Sequence, residues 1–266
     1  MKKIGFIGAG NMAGAILNGV ITTGTYPAEQ LFVFDVSREK CNAMGEKGID
    51  SFASAAELVA NCDVIFLSIK PQNFTEVLES VRGSVTEDKL FVTIAAGIST
   101  TFIKETVQCN CPVIRVMPNT PLLLGKGATA MCRSSDVTDE QFALIKGFFA
   151  ACGTVAVLDE SKLNAVISVN GSSPAYVYLF AKAMVDGAEQ QGIDRKVALP
   201  LICQTLIGSA AMLMQPNTTP DELIRMVSSP GGTTLKALDV LYENHFAETV
   251  REAMVACTKR AEELGK

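Results

Sequence analysis

Ile4-Gly-Phe-Ile7 runs straight into Gly8-Ala-Gly10-Asn-Met-Ala13, with Gly14 next, and this stretch decides the fold. Four residues without polar alternation predict a strand covered on both faces. The first glycine permits a tight turn, and the second lets backbone approach an anion. The small third position lets the following helix pack closely on the strand, with its N-terminus facing that anion. A second apolar run, Leu31–Phe34, ends in Asp35, 27 residues after Gly8, within reach of an adenosine ribose. Together these features predict a dinucleotide site built from Ile7, Gly8, Ala9, Gly10, Asn11, Met12 and Asp35.

Outward from there, apolar runs at Val64–Ser68, Phe91–Ile94, Val113–Val116, Ala128–Cys132 and Thr154–Leu158 alternate with helical patterns. The helices are expected at Met12–Thr22, Arg38–Lys47, Ala55–Ala60, Phe74–Val81, Thr100–Val107 and Asp139–Ala150. That alternation predicts a doubly wound parallel sheet. Later strand ends border the same crevice: Ser68-Ile69-Lys70-Pro71, Ala95-Ala96-Gly97, and Asn119 with Thr120. Small residues there leave room for a nicotinamide, and Lys70 is placed to meet phosphate or ribose. Asp35 favours a free 2′-hydroxyl, whereas Ser37 and Arg38 offer a site for a 2′-phosphate, so the residues leave NADH and NADPH both open.

After Asp159 the alternation stops and the pattern is helical to the end, predicting domains over 1–160 and 161–266. Residues 163–220 carry six charges, and Val197–Pro220 none, so these helices need covering. A membrane span is not expected: Pro200, Gln204, Pro216 and Asn217 break the run, leaving an apolar core of about 16 residues, short for a bilayer. An obligate interface between subunits is the better reading.

Composition narrows the function further. With 23 Lys+Arg against 28 Asp+Glu, a net charge of −5 and no basic run, nucleic acid and anionic membranes are not expected partners. Met1-Lys-Lys-Ile-Gly5 turns to glycine too early for a signal peptide, which predicts a cytoplasmic protein. The eight cysteines lack metal-ligand spacing, so buried free thiols and no metal are expected. The single histidine, His245, falls in an apparent helix connection, and any enzyme here must move protons largely without imidazole.

Near the C-terminus, Pro230 stops one helix, and Gly231-Gly232 leaves amides open at the start of the next, with Ser229, Thr233 and Thr234 hydroxyls beside them. That is a receptor for a carboxylate, or else an ordinary helix-connecting loop. At this point the chain resembles pyrroline-5-carboxylate reductases over essentially its whole length. The resemblance rests on Gly5-Phe-Ile-Gly8-Ala-Gly10-Asn-Met12, Ile69-Lys70-Pro71, Ala95-Ala96-Gly97, Arg115-Val-Met-Pro-Asn-Thr-Pro121, Asn170-Gly-Ser-Ser-Pro-Ala-Tyr176 and Val227-Ser-Ser-Pro-Gly-Gly-Thr-Thr234. It implies an α/β fold: a Rossmann-type dinucleotide-binding domain, then an all-α substrate-binding and dimerisation domain. Homodimers, or a decamer of five dimers, would reduce a small cyclic imino acid to L-proline with NADPH, or NADH as the alternative. It implies carboxylate contacts from Ser229, Gly231, Gly232 and Thr233, a Thr234 bond to the ring nitrogen, and Glu160 near the substrate. Asp35 departs from the small polar residue common in that family.

The β-hydroxyacid dehydrogenases also join such domains, but their spaced lysine and asparagine are missing; Lys162 and Asn164 stand two apart with no framing glycine. A non-catalytic nucleotide sensor is disfavoured by the complete set of hydroxyls in the 229–234 loop.

Overall fold

A computed structural model describes residues 1–265. Its sheet comprises β1 (Ile4–Ile7), β2 (Leu31–Phe34), β3 (Asp50–Ser51), β4 (Val64–Leu67), β5 (Leu90–Thr93), β6 (Val113–Met117), β7 (Gly127–Arg133) and β8 (Gly153–Val157). The spatial order is β3-β2-β1-β4-β5-β6-β7-β8, so the direction of winding reverses between β1 and β4. Ligand crevices in such sheets form at that reversal, beyond the carboxyl ends of the strands.

Every neighbouring pair is parallel except β6 and β7, which departs from the expected all-parallel sheet. The reason is connection length. Only residues 118–126 separate them, carrying a single 3₁₀ turn at Thr120–Leu124. A parallel crossover needs about a dozen residues or more, so the chain doubles back. The short β3 was not legible either, because two exposed polar residues leave no apolar run.

Helices α1 (Asn11–Thr22), α2 (Arg38–Gly45), α3 (Ala55–Asn61), α4 (Phe74–Val81), α5 (Thr100–Val107) and α6 (Asp139–Ala150) cover the sheet. Side chains alternate between two cores, as a pleated strand requires. From β4, Val64 and Phe66 enter one with Phe6, Ile16, Phe148 and Phe149. Ile65 and Leu67 enter the other with Leu58, Phe74, Leu78 and Phe91. Phe6 stacks on Phe66 with ring centroids 4.3 Å apart.

By compactness the chain forms two units, residues 1–174 together with Val255 onward, and Ala175–Met254. This division differs from the sequence boundary at 160. The 3₁₀ turns Glu160–Lys162 and Ala165–Ser168 leave the alternating pattern but still bury Leu163 and Ile167 against Met117, Ala130, Cys132 and Ala261.

The second unit holds most of α7 (Ser173–Gln190), then α8 (Arg195–Leu213), α9 (Pro220–Met226), α10 (Thr233–Glu243) and the start of α11 (Phe246–Leu264). Pro200 and Gln204 do not break α8; they lie inside it, and the helix ends at Leu213 just before Pro216. Proline removes one rung of the hydrogen-bond ladder, and the surrounding Ala, Leu and Ile sustain the rest. At 19 residues, α8 is long and apolar enough by length and composition to cross a membrane.

Candidate active site

The glycine loop after β1 has the predicted geometry. Gly8 adopts φ +98°, and a Cβ there would lie 2.5 Å from the Ser68 carbonyl oxygen, so only glycine lets the loop pass β4. Gly10 caps α1 without any side-chain hydrogen bond, and nothing lies within 4 Å of where its Cβ would be. The first amides of α1, from Asn11 and Met12, therefore open onto free space, a cradle that fits a pyrophosphate.

Beside it lies a cavity of about 320 Å³, lined by Gly8, Gly10, Asp35, Ser68, Ile69 and Lys70 among others. The Ser68 hydroxyl is buried there without a partner. A second cavity of about 380 Å³ is also lined by Asp35 and includes Arg38 and Cys41. Phe34, Asp35 and Val36 line both. Asp35 Oδ2 accepts from the Ala9 amide at 2.9 Å, its Oδ1 from the Ser37 amide at 2.9 Å, and Lys40 Nζ stands 3.4 Å away. Burial opposes the charge on this carboxylate, but the Ser37 and Ala9 amides and the Lys40 ammonium outweigh it, holding the carboxyl below its ordinary value.

Pro71 opens a 3₁₀ turn at Pro71–Asn73, with exposed Lys70 before it. Ala95 and Gly97 are buried and Ala96 half-buried; the Ala95 amide donates to Thr93 Oγ1 at 3.2 Å. Asn119 is 7% exposed, its Oδ1 accepts from the Ala128 amide, and its Nδ2 donates to the Asn170 carbonyl. Asn170 in turn donates to the carbonyls of Met117 and Ala128, so this pair fastens the β6–β7 reversal. Both amides satisfy backbone that a short connection leaves unpaired.

Glu160 has partners that sequence reasoning missed. It binds Thr100 through both carboxylate oxygens and approaches Arg115, which is 3% exposed and also donates to Asn164. One signal was available: Arg115 interrupts the apolar run Val113–Met117, and a buried guanidinium demands a carboxylate. Burial pushes the nearby Cys132 thiol up to about 11. Cys62 and Cys111 are pushed up to about 12 by the same cause, as inert core thiols are.

In the second unit, Gly231 takes φ +73° and Gly232 caps α10 with no side-chain hydrogen bond. The Gly232 amide is already used, donating to the Ser229 carbonyl at 2.9 Å. A Cβ on Gly232 would lie 2.6 Å from the rotatable Ser229 Oγ and 3.0 Å from the Ser229 carbonyl oxygen, so the turn leaves little room for a side chain. The open amides are those of the first turn, beginning with Thr233 and Thr234. His245 is exposed at φ +55° between α10 and α11.

Two helix N-termini thus open at glycine, one per unit. The fold and the first of them define a Rossmann-type dinucleotide-binding protein with an appended helical unit. Residues 160–264 match the family model for pyrroline-5-carboxylate reductase dimerisation, and residues 3–97 that for coenzyme F420-dependent NADP oxidoreductase. The pyrroline-5-carboxylate reductase of Escherichia coli K12 is 39% identical over 266 residues, covering 100% of this chain and 99% of its own. The Plasmodium falciparum pyrroline carboxylate reductase, solved with NADP bound, superposes with TM-score 0.92 at 29% identity over 100% of this chain and 98% of its own. A pyrroline-5-carboxylate reductase from Coxiella burnetii does so with TM-score 0.89 at 32% identity, over 100% and 99%. The chain belongs to the pyrroline-5-carboxylate reductase family.

Proposed function

We propose that this chain reduces 1-pyrroline-5-carboxylate to L-proline, the last step of proline biosynthesis, as a cytoplasmic homodimer or a decamer of five dimers. The observation that carries this is the occurrence, in a member of the family, of two helix N-termini left uncapped behind glycines, α1 and α10. One suits a pyrophosphate and the other a carboxylate.

The Asn11 and Met12 amides would hold the pyrophosphate, with Ile7, Gly8, Ala9 and Gly10 shaping the loop. Asp35, Ser37 and Arg38 would meet the adenosine ribose, and Ser68, Ile69, Lys70, Pro71 and Ala95–Gly97 the nicotinamide side. NADPH is assigned as the donor, on Ser37, Arg38 and the NADP in the Plasmodium falciparum relative, with NADH the alternative that Asp35 favours. When bound, the reduced nicotinamide supplies hydride to an imine carbon.

For the substrate, Ser229 and the Thr233 and Thr234 amides would hold the carboxylate, with Gly231 and Gly232 forming the turn. The Thr234 hydroxyl would hydrogen-bond the ring nitrogen as it changes from imine to amine. None of this needs a histidine. The chain's task is to fix orientation at near-attack distance.

The deciding assay is consumption of reduced nicotinamide with pyrroline-5-carboxylate, with a hydroxy acid as control. Turnover of the hydroxy acid alone would overturn the reading. Comparing kcat/KM for NADPH and NADH tests the cofactor: a tenfold NADH preference would make Asp35 decisive, and Asp35→Ser should then shift preference toward NADPH.

A further inference from the structure

The Ala95–Gly97 loop joins β5 to α5, and two segments far away in sequence fix its exit. Glu160 Oε1 accepts from the Thr100 amide at 2.8 Å, and Oε2 from the Thr100 hydroxyl at 2.7 Å. Thr100 is the first residue of α5, so the carboxylate sits where unpaired amides concentrate positive charge. Arg115 Nη1 lies 3.6 Å from Oε1 and holds the carboxylate from behind.

The second restraint is at Gly97, whose φ is +81°. A Cβ there would stand 2.7 Å from the Gly265 amide nitrogen, 2.8 Å from the Ala261 carbonyl oxygen and 2.9 Å from the Leu264 carbonyl carbon. All three are backbone atoms, so no side-chain rotation relieves the clash. The missing side chain makes room for the chain's own last helical turn, where the sequence suggested room for the nicotinamide. Glu160 and the last turn of α11 thus clamp the loop's C-terminal end, and the Ala95 amide bond to Thr93 secures its start.

We propose that Glu160 is a positioning residue for the nicotinamide half of the dinucleotide, acting through Thr100 and together with the Gly97 seat to hold the Ala95–Gly97 loop. Both of its carboxylate oxygens are engaged inside the first unit, which sets this role apart from direct contact with the substrate. The proposal rests on the dinucleotide-binding reading above.

The test compares affinity for NADPH with affinity for 2′-phospho-ADP-ribose, which lacks the nicotinamide, in the full-length protein. Glu160→Ala should weaken NADPH by about tenfold, the loss of charge-assisted bonds at a pre-formed site, and leave the fragment within about twofold. Gly97→Ala should show the same split. Glu160→Gln keeps an acceptor for the Thr100 amide and a donor for its hydroxyl, and should recover most of the NADPH affinity. Three results would overturn the proposal: NADPH affinity unchanged in Glu160→Ala, fragment and dinucleotide affinities falling together, or an effect confined to KM for the imine. Wild-type turnover of pyrroline-5-carboxylate is scored separately. If it is absent while the affinity split persists, the functional reading fails and the positioning role stands.

Discussion

The two units treat apolar residues in opposite ways. In the first, the strands and the helices on them bury Phe6, Phe66, Phe74, Phe91, Phe148 and Phe149 almost completely. In the second, buried hydrophobics among the described residues are Val185, Ala198 and Ile202, while Leu179, Leu201, Ile207 and Met214 are each more than 60% exposed. A sheet closed on both faces can satisfy its own apolar surface within one chain. A set of helices apolar around most of its circumference cannot, and it needs another surface. The family model matched by residues 160–264 is one of dimerisation, which accounts for that need.

Breaking the second unit's surface should have the largest effect. Leu201→Lys places a charge on the exposed apolar face of α8, and light scattering at micromolar concentration should then report a monomer where wild type should report a dimer or larger. Leu124→Lys, at a residue 82% exposed in the first unit, should leave the mass unchanged. If both variants behave alike, the contrast between the units is wrong.

Next comes the core of the first unit. Phe66→Ala leaves a cavity between Phe6 and Phe148 and should destabilise the fold by about 3–5 kcal/mol in denaturant titration. Smaller again, Thr234→Ala should lower kcat by about 10- to 100-fold, because its hydroxyl acts where the ring nitrogen changes, and contacts made only in the transition state appear in kcat. Thr234→Ser should retain most activity. A kcat within threefold of wild type for Thr234→Ala would reduce the residue to part of the helix start.

The smallest expected effect sharpens the picture of the glycine loop. Asp35 has its carboxyl held below the ordinary value despite burial, by the Ser37 and Ala9 amides and Lys40. A depressed folded pKa contributes stability that is fully present above the unfolded value of about 3.9 and is lost as pH falls through the folded one. The difference in Tm between wild type and Asp35→Asn should therefore be constant above about pH 5 and shrink in more acid buffer. A difference that grew in acid would assign the opposite sign.

Much of this was legible in the linear chain, for a local reason. Apolar runs of four or five residues, the φ demand at Gly8, and Gly231-Gly232 ahead of a helix are properties of neighbours along the backbone. Sterics and periodicity therefore disclose them: β1, β2, α4, α5 and α6 lie where their patterns predicted. Helix α8 runs on through Pro200, a local signal against helix that a favourable helical context overrode.

What the tertiary structure alone decided joins residues remote in sequence. The β6–β7 reversal is fastened by Asn119 and Asn170, 51 positions apart. Glu160 reaches Thr100 across 60 positions, and Gly97 receives the chain's last turn. The sequence by itself determined which segments become strands and helices and where backbone must stay bare for an anion. It left open which buried polar groups satisfy one another, because a donor's partner depends on where the folded chain brings an acceptor within about 3 Å, and no local periodicity encodes that distance.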